Sequence, residues 1–188
     1  MELITIYIGN GLFNQSDLRF NEYVDSELRS RIYRELDKIK DLSDIDLSDI
    51  VSIYLPQKNN EINDKSNYAD SKMIYDGDND VLDKTNILIA LLDGQDLGLG
   101  TEIGRFAYQA ERDENKTIIG LYSDTRQGNA TQEKVDALND VAESQFPYIN
   151  LYTIGAIKSV GEVVETVPEL IDATWDAIAR ILDNTLNK

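Results

Sequence analysis

The chain has no cysteine and no histidine in 188 residues. Their absence excludes disulfides, thiol nucleophiles, imidazole general bases and every His or Cys metal ligand. Any chemistry must run on Asp, Glu, Tyr, Ser, Thr, Lys or Arg. Basic residues are also scarce, 18 against 35 acidic, for a formal net charge of −17. Such a surface repels polyphosphate, so nucleic acid is not an expected partner. No run approaches the roughly 20 apolar residues of a membrane helix, and the start, MELITIYIGN, has no basic region ahead of a strand-length apolar run. No membrane association is expected, and the lack of Cys fits a reducing cytoplasm. The length suits a single domain spanning 1–188, with a helical C-terminal extension from about 159.

What is present alternates between two periodicities. Leu3 to Ile8 is a β-branched run ending in Gly9-Asn10-Gly11, a buried first strand and its turn. From Ser16 to Lys40, Phe20, Tyr23, Val24, Leu28, Ile32, Leu36 and Ile39 recur at helical spacing, with Ser16 or Asn14 placed to cap the start. Asp41 to Asp49 is an acidic connector, Asp49 to Leu55 a second strand stopped by Pro56, and Gln57 to Ser71 a polar loop. Met73 to Lys84 reads as a helix. Ile87 to Leu92 is continuously apolar, as a strand covered on both faces must be. A helix over Glu102 to Arg112, a strand over Thr117 to Tyr122, a helix over Gln132 to Ala142 and a fifth strand over Ile149 to Ile154 follow. The last section carries a helical apolar face from Val163 and Val164 through Trp175 to Ile181, with Pro168 in the first turn of the final helix.

This alternation predicts an α/β fold, a flavodoxin-like or Rossmann-like parallel five-stranded sheet of order 2-1-3-4-5 with helices on both faces. Ligands bind such sheets beyond the carboxyl ends of the strands, where strand order reverses. Four polar segments end there: Gly9 to Asn14, Gln57 to Asn60, Asp93 to Glu102 and Ser123 to Asn129. In the densest, glycines let the backbone approach a ligand and Glu102 is expected to open a helix. A carboxylate at a helix N-terminus stays ionised and suits attack on a cationic centre, although the spacing fits equally a Glu that only complements the helix dipole. Gly98, Gly100 and Gly104 do not form a dinucleotide fingerprint, because the third glycine is one place late and the segment follows a middle strand. Tyr7 and Phe13 read equally well as packing residues.

Ile6-Tyr7-Ile8-Gly9-Asn10-Gly11-Leu12-Phe13-Asn14, Leu55-Pro56-Gln57, Leu92-Asp93-Gly94, Gly100-Thr101-Glu102-Ile103-Gly104 and Ser123-Asp124-Thr125-Arg126 occur in the order seen in nucleoside 2-deoxyribosyltransferases. The chain resembles that family from residue 3 to about 154. The resemblance implies a 2′-deoxynucleoside and a free nucleobase as substrates, no cofactor and no metal. It makes Glu102 the nucleophile at C1′, Tyr7 its hydrogen-bond partner, Asp96 the acid that fixes the sugar hydroxyls and Asp78 the carboxyl that protonates the departing base. Asp76 and Asp80 flank Asp78, which reads equally as a charge near a helix start. Gln57 and Phe13 resemble base-pocket residues, and Gly9, Gly11, Asp93, Gly98 and Gly100 belong to the substrate-binding segments. Asn129 resembles an asparagine that a neighbouring subunit contributes toward the 5′-hydroxyl, so the resemblance implies a homo-oligomer. Arg105 stands where an aromatic is common and Asn86 where Asp is frequent, two departures that bear on base preference.

The chemistry needs no histidine. Glycosyl transfer through an oxocarbenium-like state requires one fixed carboxylate and a second carboxyl acting as acid and then base. Two other readings use the same pocket: a 2′-deoxynucleoside 5′-monophosphate N-glycosidase, with Arg126 and Arg105 as phosphate contacts, and a nucleotide-sensing module without turnover.

Overall fold

In the computed structural model, residues 4–38, 49–59, 68–126 and 149–186 are described. They form β1 (Ile4–Gly9), α1 (Gln15–Leu36), β2 (Val51–Tyr54), a 3-10 turn (Pro56–Lys58), α2 (Ser71–Leu82), β3 (Ile87–Leu91), α3 (Leu97–Ala110), β4 (Thr117–Leu121), α4 (Leu151–Val160), β5 (Gly161–Val164) and α5 (Val167–Leu186). The five strands make one sheet in the order β2-β1-β3-β4-β5, and every neighbouring pair is parallel. Strand order therefore reverses between β1 and β3.

Side chains alternate across the sheet and divide the core in two. Ile4, Ile6, Ile8, Ile87, Ile89, Ile119 and Leu121 face α1 and α5. Tyr7, Leu88, Ala90 and Ile118 face the other way, toward Leu82 at the end of α2 and the apolar sides of α3 and α4. The central strands β3 and β4 are buried along their whole length, as their unbroken apolar runs require. Asn14 caps α1 by accepting from the Asp17 N–H at 2.9 Å.

Three expectations are corrected. Ile149 to Ile154 is not a strand: Asn150 caps α4 by accepting from the backbone N–H groups of Tyr152 and Thr153, and the helix runs to Val160. The fifth strand is Gly161–Val164, so Val163 and Val164 belong to the sheet edge and not to the last helix. α4 passes into β5 with no intervening loop, and a Cβ at Gly161 would lie 1.8 Å from the Ile118 carbonyl oxygen. Only glycine permits that approach. Finally, the buried stripe of α1 runs through Asn21, Val24, Asp25, Leu28, Ile32 and Leu36, leaving Tyr23 at the surface. The Gln132–Ala142 helix expectation lies outside the described residues. Among the described residues no helix is long and apolar enough to cross a membrane.

Candidate active site

β1 and β3 meet at the reversal of strand order, and the predicted carboxylates gather at their carboxyl ends. Tyr7 points from β1 toward α3, fully buried, and its hydroxyl donates to Glu102 Oε1 at 2.8 Å. Two residues further along β1, the chain passes close beneath the same carboxylate. A Cβ on Gly9 would lie 3.2 Å from Glu102 Oε2 and 2.6 Å from Leu99 Cδ1, so a side chain there would displace the carboxylate or the helix.

Glu102 does not open its helix. Asp96 is the N-cap, accepting from the Leu99 N–H at 2.9 Å, and Glu102 is the sixth residue of α3. Gly98 and Gly100 are helical, not loop, residues; the cap outweighs their weak helical preference. The expectation of a carboxylate held ionised by the helix N-terminus is thereby overturned. Burial pushes the Glu102 carboxyl up to about 7; the Tyr7 hydrogen bond opposes that rise, and the charges of Asp78 and Asp96 add to it. The Tyr7 phenol is itself pushed far up by burial and by the neighbouring Glu102 charge, so it remains a donor across the physiological range.

The electrostatic coupling of Asp78 to both Tyr7 and Glu102 places it in the same cluster. Its flanking residues differ: Asp76 is an exposed ion-pair partner of Lys72, and Asp80 is exposed. Asp78 is half-buried, and that burial raises its carboxyl above the ordinary range. It lies in the eighth position of α2, which removes the helix-start reading of its charge. Four groups therefore converge: the phenol of Tyr7 and the carboxyls of Glu102, Asp78 and Asp96.

The remaining predicted residues are less uniform. Phe13 is 93% exposed in the β1–α1 turn, which excludes a packing role. Gly11 is buried, and a Cβ on it would come within 2.7 Å of Asp17 Oδ2 in the first turn of α1. Asp93 accepts from the Ser123 backbone N–H at 2.8 Å and from its hydroxyl, tying the end of β3 to the end of β4. Gln57 is held from the α1 side: its Nε2 donates to the Leu18 carbonyl at 3.1 Å and to Glu22 Oε1 at 3.4 Å, and its Oε1 accepts from Asn21 Nδ2 at 2.9 Å. A Cβ on Gly98 would meet the capping Asp96 Oδ1 at 2.9 Å, whereas one on Gly100 would meet nothing within 4 Å. Asn129 lies outside the described residues.

A cavity of about 330 Å³ opens between the starts of α3 and α4, with Gln95, Asp96, Leu97, Gly100 and Asn150 in its wall. Tyr7, Glu102 and Asp78 do not line it, so the reactive groups sit beside this space. Gln95 holds φ 47°, a left-handed conformation rare outside glycine, at the bend that delivers Asp96 to its cap. Asn86 is far from the cluster. It lies just before β3, where its side-chain oxygen accepts from the Thr5 N–H at 2.9 Å and bridges the amino ends of β1 and β3. Arg105 is bound to Asp83 at 2.8 Å and Arg126 to Asp124 at 2.9 Å. No cluster of three or more acidic side chains suited to a metal ion occurs among the described residues.

Asn21 lies outside the segments that carry the family resemblance. It is 1% exposed and bridges Asn10 and Gln57. A polar residue in register with the buried stripe of a helix is the signal that marks it.

An open parallel sheet with acidic groups clustered at its switch point defines an α/β protein of the class that binds ligands beyond the carboxyl ends of its strands. Residues 6–141 match the family model described as nucleoside 2-deoxyribosyltransferase, and the chain belongs to that family. Among solved structures it is similar to a "conserved protein from Enterococcus faecalis V583", at 39% identity and a TM-score of 0.72, over 91% of this chain and 96% of that one. A search of curated proteins returns no match.

Proposed function

We propose that the protein transfers 2-deoxyribose between nucleobases by retaining double displacement, with Glu102 as nucleophile. The observation that carries this reading is the 2.8 Å Tyr7–Glu102 hydrogen bond at the strand-order reversal, inside a cluster shared with Asp78 and Asp96. In the first step a Glu102 carboxylate oxygen bonds to C1′ as the C1′–N bond breaks, and the Asp78 carboxyl gives its proton to the departing base. In the second, an incoming base attacks C1′ while Asp78 takes up its proton, and the Glu102–C1′ bond breaks. Two inversions give net retention, and water in place of the base gives free deoxyribose.

Burial supports these roles differently. A buried carboxylate with no cation beside it is disfavoured in the free protein, and positive charge developing at the anomeric centre offsets that penalty. Tyr7 limits the rise by donating to the ionised form. Burial of Asp78 raises its carboxyl above the ordinary range, the direction that favours a proton donor. Asp96, its Oδ1 engaged by Leu99, has Oδ2 free to take a sugar hydroxyl. Phe13 supplies an exposed ring able to cover a base, while Gln57 has only an Oε1 lone pair left to offer one. Gly9 and Gly11 keep the β1 turn close to the carboxylates, and Asn129 supplies a 5′-hydroxyl contact from a neighbouring subunit of a homo-oligomer.

A nucleoside suits the site better than its 5′-monophosphate. The two cations named for a phosphate, Arg105 and Arg126, are held by Asp83 and Asp124. The test is base exchange. Deoxyadenosine incubated with free cytosine yields deoxycytidine and adenine on chromatography, and Glu102→Ala lowers the rate by at least about a thousandfold, as loss of a nucleophile does. Nucleoside binding without exchange or base release would leave the sensor reading standing.

A further inference from the structure

Three side-chain amides form a directed chain from α1 to the mouth of the site. Gln57 Nε2 donates to the Leu18 carbonyl at 3.1 Å. Asn21 Nδ2 donates to Gln57 Oε1 at 2.9 Å, and Asn10 Nδ2 donates to Asn21 Oδ1 at 2.8 Å. An amide has one donor end and one acceptor end, and a backbone carbonyl can only accept. The Leu18 carbonyl therefore sets the direction of Gln57, Gln57 that of Asn21, and Asn21 that of Asn10. At 1% exposure Asn21 has little access to water, so a reversed amide would leave like groups facing each other in the interior.

The outcome of the chain is the polarity of Asn10. Its nitrogen is turned inward and its oxygen faces the β3–α3 turn, where a Cβ on Gly94 would lie 3.7 Å from Oδ1. No described residue donates to that oxygen. Asn10 follows directly on Gly9, the residue whose Cβ would come within 3.2 Å of Glu102 Oε2, so its free acceptor lies at the carboxyl end of β1, the end where the carboxylates gather, against the β3–α3 turn that leads to Asp96.

We propose that Asn10 is a substrate-recognition residue whose Oδ1 accepts a hydrogen bond from a hydroxyl of the deoxyribose, and that Asn21 and Gln57 are positioning residues that fix its direction. This rests on the glycosyl-transfer reading. A neutral acceptor pairs with a hydroxyl and offers nothing to an ionised phosphate, in keeping with the absence of an unpaired cation at Arg105 and Arg126. Gln57 then acts on the sugar through two intervening amides, in addition to any contact its remaining lone pair makes with a base.

The experiment compares a 2′-deoxynucleoside with two analogues that lack its 3′- or its 5′-hydroxyl. In the unaltered protein, kcat/KM falls for one analogue by about three- to tenfold beyond any loss that Asn10→Ala also shows for it, the range of one hydrogen bond. Asn10→Ala loses a similar factor on the parent nucleoside and no longer distinguishes parent from that analogue. Asn21→Leu, which leaves the Asn10 amide unanchored, shows a smaller loss of the same discrimination, in KM more than in kcat. Asn10 lies in a half-buried turn, so its substitution is decisive even where Asn21→Leu folds poorly. An Asn10→Ala protein that keeps the full preference for the parent over both analogues overturns the assignment and leaves glycosyl transfer intact. Absence of turnover in the unaltered protein removes the transfer reading instead. Calorimetric binding of the three ligands to proteins carrying Glu102→Ala, with and without Asn10→Ala, then decides the Asn10 contact independently.

Discussion

Two carboxylates sit inside this molecule on opposite faces of one sheet, and the protein treats them in opposite ways. Asp25, on α1, is 5% exposed and is held by Arg29 Nε at 2.8 Å and Lys58 Nζ at 3.0 Å. Glu102, on α3, receives a hydrogen bond from a neutral phenol, and the charges that reach it are those of Asp78 and Asp96. The first is neutralised and ties α1 to the 3-10 turn that carries Gln57. The second has no cation beside it among the described residues, at a cost to the folded state that, under the proposed mechanism, positive charge developing at the sugar would relieve. A buried carboxylate with cations is a strut; one with only a phenol and other carboxylates around it is a candidate reactive group, the role proposed for Glu102.

Neutralising Glu102 should sharpen this contrast most. Its folded-state value of about 7 exceeds its ordinary value of 4.5, so the cost is absent below about pH 4.5, grows as pH rises and is complete above about pH 7. Glu102→Gln should match the unaltered protein in stability at pH 4.5 and exceed it by on the order of 2 to 3 kcal/mol at pH 8. Urea unfolding at the two pH values measures this. A variant less stable than the parent at pH 8 would show that Glu102 is a strut after all.

Asp25→Asn should act in the other direction. It leaves two cations facing an amide, but both are half-exposed, so water moderates the loss. A loss of about 2 kcal/mol is expected at pH 7, the scale of a charge-assisted hydrogen bond, with turnover reduced far less than by Glu102→Ala. A stabilised Asp25→Asn protein would dissolve the contrast between the two sites.

The same contrast explains what the sequence did and did not make legible. The sheet order and β1 to β4 follow from apolar runs and their turn residues, because burial on both faces imposes an unbroken pattern. β5 does not: the β-branched residues of Leu151–Val160 suit a strand, and only the Asn150 cap and the close approach at Gly161 turn them into a helix followed directly by the edge. Gly98 and Gly100 suggest a ligand-binding loop with Glu102 opening the next helix, whereas the Asp96 cap begins the helix ahead of both glycines. Tyr7 and Glu102 are 95 residues apart in the chain, and no local pattern pairs them; the family resemblance did. Asn21 and Asp25 are polar residues at buried positions of α1, visible only once the helix is rotated into its true register.

Tyr7→Phe tests the smallest difference between the two carboxylates, the phenol that takes the place of a cation. Its hydrogen bond lowers the Glu102 carboxyl against the effects of burial and of Asp78 and Asp96. Removing the hydroxyl should move the Glu102 carboxyl further up, so, with Glu102 as the proposed nucleophile, the limb of kcat/KM that rises with pH as it ionises shifts to higher pH. The shift should be below about one pH unit, because one neutral hydrogen bond contributes roughly 1 kcal/mol. On the high-pH side of that limb the nucleophile is ionised in both proteins, and the two rates converge to within a few-fold. An unchanged limb, or one displaced to lower pH, would mean that Tyr7 packs against the carboxylate without tuning it, and that burial together with the two aspartates sets the charge state of Glu102.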